Sequence, residues 1–288
     1  MTEPNAAVNG PVLLITDLSP RCDRALDRAV MLAQRNKVKL IALHVIEPSF
    51  LSRLLLPSWA TTQKQHQQAA QQRLLEDLQH AEVDLEVVVE IGYPIDVIKA
   101  VASKYKCSLI VSGTARDEAL GRIMLGSTVE RVARESTIPL LVVRRRPEPV
   151  YDKVLAGTDF SEGARQALTT AVNLIPFDSL TLFHSFSEVA GVKDLDESTI
   201  KERTEFLEAK AMEFAQSVPG AATDHLKVVV SHGDPAKDIP AYVNENHIEL
   251  VVLGTRGMSG IIKTAMGTVA EQLLLLLRSD VLIVPTRH

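Results

Sequence analysis

Gly254–Thr268 reads GTRGMSGIIKTAMGT. An apolar run, Ile248–Leu253, comes before it and reads as a buried strand. A helical pattern, Val269–Leu277, comes after it. Strand, glycine-rich turn and helix in that order are the parts of a parallel α/β unit. Glycines at Gly254, Gly257 and Gly267 let the backbone take conformations closed to other residues and approach a ligand closely. A helix start presents unpaired N–H groups and a partial positive charge, which suits an anion. Arg256 and Lys263 add two positive charges, and no acid opposes them within the stretch. The segment therefore reads as a phosphate cradle. It reads equally as a tight turn into a capped helix, because Thr268-Val-Ala-Glu271 has the spacing of a capping box.

Outward from this stretch the same alternation continues. Val154–Asp159, Leu180–Phe186 and Val281–Val284 are further apolar runs separated by helical patterns, and the first half repeats the order. VLLITDLSP (Val12–Pro20) matches VLAGTDFSE (Val154–Glu162). LIALHVIEP (Leu40–Pro48) matches LTLFHSFSE (Leu180–Glu188). IGYPIDVIKAV (Ile91–Val101) matches HGDPAKDIPAY (His232–Tyr242), LIVSGTA (Leu109–Ala115) matches LVVLGTR (Leu250–Arg256), and PLLVV (Pro139–Val143) matches DVLIV (Asp280–Val284). The offset stays between 140 and 142 residues. Self-similarity at that length means a duplicated domain rather than a solenoid. RRRPEPVY, Arg144–Tyr151, is the linker, which sets domains at 1–147 and 148–288.

The chain's 288 residues suit two cores better than one. Hydrophobic residues make up 46% and aromatics only 4%. That aliphatic bias fits parallel sheets buried on both faces. A net charge of −5 implies no bulk attraction to nucleic acid or anionic lipid. No apolar run is long enough for a membrane span, and Met1–Gly10 reads as a short disordered tail without a signal-peptide pattern. Cys22 and Cys107 fall in separate contexts, as expected of a reduced cytoplasmic protein.

In doubly wound sheets, ligands bind outside the carboxyl ends of the strands where the strand order switches. Asp17 and Asp159 end the first strand of each half, His44 and His184 lie near the end of the second, and the two glycine loops follow the fourth. All three features map to one rim of each sheet. These residues resemble the universal stress protein family. Its nucleotide-binding members carry G-x2-G-x9-G-[ST] after the fourth strand, and Gly254-x2-Gly257-x9-Gly267-Thr268 fits at every position. The resemblance covers nearly the whole chain as a tandem pair. It implies two Rossmann-like domains of the adenine nucleotide α-hydrolase type, each a five-stranded parallel sheet with helices on both faces.

The resemblance also implies ATP, with or without Mg2+, in the second domain. Asp159 would lie near the ribose and adenine, and backbone around Ser185 would meet the base. Gly254, Thr255, Arg256, Gly257, Gly267, Thr268 and Val269 would meet the phosphates. Family members pair through their fifth strands, so Leu140–Arg144 is expected to pair with Val281–Pro285 within one molecule, and a homodimer stays open. The first half departs from the pattern. Gly113, Gly126 and Ser127 keep their places, but Arg116 stands where the second glycine should be, and Asp117 and Glu118 cancel the charges of Arg116 and Arg122.

Other candidate chemistry is thin. Asp17 and Asp159 have no second carboxylate nearby in sequence to make an acid–base pair. His44 and His184 read as packed histidines with one satisfied nitrogen. Cys22 falls near a helix start, where a thiol pKa can drop, but reads more simply as an inert helix residue. Cys107 reads as core. No zinc spacing, Walker A sequence or GxSxG nucleophile motif is present. Phe50–Ala60, FLSRLLLPSWA, is apolar and reads either as core packing or as a partner patch. The reading is a cytoplasmic stress-response protein that binds adenine nucleotide as a regulatory or stabilising ligand, with no catalytic residue assigned. The alternatives are an interaction scaffold with a vestigial site and a slow ATPase.

Overall fold

The computed structural model describes residues 10–48, 59–117, 122–124, 126–187, 196–255 and 266–286. They fall into two compact units, one within Ala6–Pro147 and one within Glu148–His288. The first runs β1 (Val12–Thr16), a 3-10 turn (Pro20–Cys22), α1 (Asp23–Asn36), β2 (Leu40–Ile46), α2 (Trp59–Asp77), β3 (Leu85–Ile91), α3 (Pro94–Lys104), β4 (Leu109–Ser112), β5 (Ala115–Asp117), β6 (Arg122–Met124), α4 (Ser127–Glu135) and β7 (Leu140–Val142). The second runs β8 (Tyr151–Gly157), α5 (Glu162–Leu174), β9 (Phe177–Phe186), α6 (Glu197–Gln216), β10 (Leu226–His232), α7 (Pro235–Asn246), β11 (Leu250–Gly254), α8 (Thr268–Leu276) and β12 (Asp280–Val284).

Each unit builds a five-stranded sheet. The first has the order β7-β4-β1-β2-β3 and the second β10-β9-β8-β11-β12. Every pairing within those two runs is parallel. The central strands are apolar on both faces because helices cover both. Leu13, Leu14, Leu40, Ile41, Leu109, Val251 and Leu282 are buried to within 1% of full enclosure. Burying one such side chain contributes about 1.5–3 kcal/mol. The strand order switches between β1 and β4 and between β8 and β11. Side-chain alternation on β9 keeps the two faces distinct. Phe183 and Ser185 face a cavity shared with Pro235 and Ile239 of α7. On the other face, His184 packs on Phe160, which in turn meets Phe214 of α6.

Helix starts follow the local chemistry. Pro94 and Pro235 take the first position of α3 and α7, where a missing N–H is harmless. Ser161, Asp196 and Asp234 each cap the following helix with a side-chain oxygen. The capping box expected at Thr268 is not formed as such, and neither is one at Ser127, where Ser127-Thr-Val-Glu130 has the same spacing. The N-caps are Gly126 and Gly267, one residue earlier, so Ser127 and Thr268 are already helical, and neither helix has a side-chain cap hydrogen bond. The helical pattern that Ser19 opens in the sequence starts as the 3-10 turn and becomes α1 only at Asp23. The stretch Gly113–Gly126, expected as a loop, contains an antiparallel ribbon of β5 and β6 with Arg116 opposite Ile123. Of Phe50–Ala60, all but Trp59 and Ala60 lie outside the described residues. Those two open α2.

Candidate functional site

At the carboxyl ends of β8, β9 and β11 the second unit encloses a cavity of about 430 Å³. It lies at the switch in strand order, where a doubly wound sheet leaves a crevice between diverging helices. The geometry brings together Asp159, Ser185, Gly254, Thr255, Gly267, Thr268 and Val269 around that one space. Arg256 and Gly257 lie outside the described residues. From Gly254 on β11 to Ser185 on β9 the cavity spans two strand spacings, about 10 Å.

Asp159 is held by its own turn. Its Oδ1 accepts from the Ser161 N–H at 3.0 Å, and the Phe160 N–H donates to Thr158 Oγ1 at 2.9 Å. Phe160 takes a φ of 65°, a left-handed conformation that a bulky residue adopts only under constraint. The first unit repeats the device: Leu18 has φ 63° and donates to Thr16 Oγ1 at 3.0 Å, and Asp17 Oδ1 accepts from Ser19 N at 2.9 Å. The turn is therefore part of the fold in both units. The histidines are shared as well. His184 Nδ1 donates to the Thr158 carbonyl at 2.8 Å and His44 Nδ1 to the Thr16 carbonyl at 2.9 Å. Burial is the main cause that pushes the His184 pKa below the ordinary imidazole value, and nearby Lys210 and Arg203 add to it.

The glycine loop is closed at its base. The Gly267 N–H donates to the Thr255 carbonyl at 2.7 Å, the Thr255 N–H donates to the Val284 carbonyl at 3.0 Å, and Thr255 Oγ1 accepts from Thr286 N–H at 3.3 Å. Thr255 thus acts as a clamp that draws the two ends of the loop together under the cavity. Gly254 is a packing glycine: a Cβ there would stand 2.9 Å from the Gly163 carbonyl of α5. Beyond the clamp, the N–H groups of Thr268, Val269 and Ala270 open α8 without a side-chain cap, on the wall of the cavity. Unsatisfied donors and the helix dipole make that wall a place for anionic oxygen.

Motif reading missed Gly157, Ala164 and Ala270, which also line the cavity. They show only when the two halves are compared, because the first unit carries Ile15, Cys22 and Val129 at the same places around its own cavity. That cavity measures about 220 Å³, half as much. Asp17 and Glu47 both line it, and no cation lines it among the described residues. Cys22 Sγ donates to Asp17 Oδ1 at 3.2 Å. Burial first, and Asp17 beside it, push the thiol pKa up rather than down. Burial opposes ionisation of Asp17, but hydrogen bonds from Ser19 and Cys22 outweigh it and hold the carboxyl below its ordinary value. Cys107 is buried, and its thiol is pushed up to about 11.

The sheet order and the cavity at its switch point define a parallel α/β domain with a Rossmann-like fold, present twice, and the second unit adds the closed glycine loop. The model of the universal stress protein family matches residues 9–144 and again 150–285, and the chain belongs to that family. A relative from Staphylococcus aureus (strain USA300), assigned by name to the universal stress proteins, is 31% identical over 158 residues, which are 52% of this chain and 94% of that one. A universal stress protein from Archaeoglobus fulgidus has a similar fold, with a TM-score of 0.65, 21% identity and coverage of 96% of this chain and 97% of that one. A protein of unknown function from Pseudomonas aeruginosa PAO1 superposes with a TM-score of 0.67 at 18% identity, over 97% of this chain and 93% of that one.

Proposed function

We propose that the second unit binds ATP, as a regulatory or stabilising ligand of a cytoplasmic stress-response protein, and that the first unit does not. The observation that carries this reading is the difference between two equivalent cavities, about 430 Å³ in the second unit and about 220 Å³ in the first. In the second, the uncapped start of α8 faces the polyphosphate, and the motif adds Arg256 and Gly257, which lie outside the described residues. Asp159 faces the ribose, and Ser185 stands at the base end. Mg2+ enters with the triphosphate. This reading assigns no residue to catalysis, and fast ATP turnover lost in Asp159→Ala would replace it with an enzyme. A ligand that binds only the folded state raises the melting temperature as its concentration rises. The test is a thermal titration of the full chain with ATP, together with mass spectrometry of any nucleotide that copurifies. A concentration-dependent rise is expected. No shift at millimolar ATP and no copurified nucleotide would reject the site.

A further inference from the structure

The base end of the second cavity carries a polar cluster that the fold does not need. Ser185 on β9 and Ser231 on β10 are register partners on adjacent strands. Both hydroxyls donate to the same oxygen, Oδ2 of Asp238 on α7, Ser231 at 2.9 Å and Ser185 at 3.3 Å. Gly233 makes room for the carboxylate, since a Cβ there would lie 2.6 Å from Oδ2. In the first unit the corresponding register partners are Val45 and Glu90. Val97 takes the place of Asp238, packed 2.8 Å from where a Cβ on Gly92 would stand. The same turn, helix and strand pair therefore form without the cluster.

A carboxylate only accepts hydrogen bonds, so a serine bound to it must donate its one proton there. Ser185 lines the cavity. With its proton committed to Asp238, it can offer the cavity only lone pairs. The group it meets must be an N–H or O–H donor. We infer that Asp238 is a specificity-positioning residue: through Ser185 it makes the base end of the cavity an acceptor, selecting a purine with a 6-amino group over its 6-oxo counterpart. The inference rests on the nucleotide reading above.

Calorimetric titration of the full chain with ATP and with inosine triphosphate tests it. A site built around one hydrogen bond rejects the analogue that leaves it unpaired. Wild type is expected to favour ATP by about tenfold or more. In Asp238→Asn the side-chain amide can donate to a serine, which frees the Ser185 proton to turn toward the ligand. The preference should fall by about tenfold or reverse. Ser185→Ala should lose the preference, with ATP affinity falling toward that of inosine triphosphate. Asp238→Val, which copies the first unit, should do the same with an unchanged melting transition. Equal affinity in wild type, or an unmoved ratio in a folded Asp238→Asn, overturns the inference alone. Failure of both nucleotides to bind wild type removes the nucleotide reading and this inference with it.

Discussion

Gly157 and Leu253 fill a space that Ile15 and Ser112 fill in the other unit, so bulk has moved from one strand to its neighbour. A Cβ on Gly157 would meet Leu253 Cδ2 at 3.2 Å. Gly157→Ile should therefore overpack the site, destabilise the chain by about 1–3 kcal/mol and abolish the ATP-dependent rise in melting temperature. Adding Leu253→Ser should recover stability but not ATP binding, and a double-mutant cycle of denaturant titrations reads the coupling. His184 allows a pH test. Its folded pKa is depressed, so the stability it contributes is present above the unfolded value, about 6.5, and is lost as pH falls below it. Wild type should lose more melting temperature than His184→Gln between pH 7.5 and pH 5.5, and equal losses would contradict this. At this scale the glycine pattern was legible as a motif, and Asp159 and Ser185 followed from the resemblance; the described ones among them line one cavity. The sequence did not reveal Gly157 or Asp238. A lone small residue at a strand end has no signature, and a helix carboxylate finds its serines only through strand register.

The strands were legible as elements, because unbroken aliphatic runs such as LIALHVI and LVVLG suit burial on both faces. Helix starts were less so. A capping box is defined by residue type, but the N-cap is defined by backbone conformation, and at α8 the extended residue is Gly267, with φ −62° and ψ 145°. The ribbon of β5 and β6 carries no sequence signature, because three-residue strands are too short to show a period. The glycine N-cap of α8 leads to a prediction about the helix. Gly267→Asp should supply the missing side-chain acceptor and raise the stability of the ligand-free chain by a few tenths of a kcal/mol. The carboxylate would occupy the same N–H groups and repel phosphate, so the ATP-dependent rise should vanish. A retained rise would show that α8 does not face the phosphates.

For the whole molecule the prediction is stoichiometry. Calorimetry should count one nucleotide per chain. Two sites of similar affinity would show that the smaller cavity, with Asp17 and Glu47 on its wall, accepts the ligand after all. Trypsin should nick after the exposed Arg145 between the units, the Arg146–Pro147 bond being resistant, before it cuts within either sheet. Gel filtration of the nicked chain then tests the expected fifth-strand pairing, which keeps the halves together if it forms. The unequal cavities also bear on how the molecule would answer its surroundings. A protein with one site and no second site to couple to fills along a simple hyperbola, and ligand must change roughly 80-fold to carry occupancy from one tenth to nine tenths. Such a chain works as a gauge of ligand level rather than as a switch. Any sharper threshold would have to arise downstream, in whatever reads the occupied form.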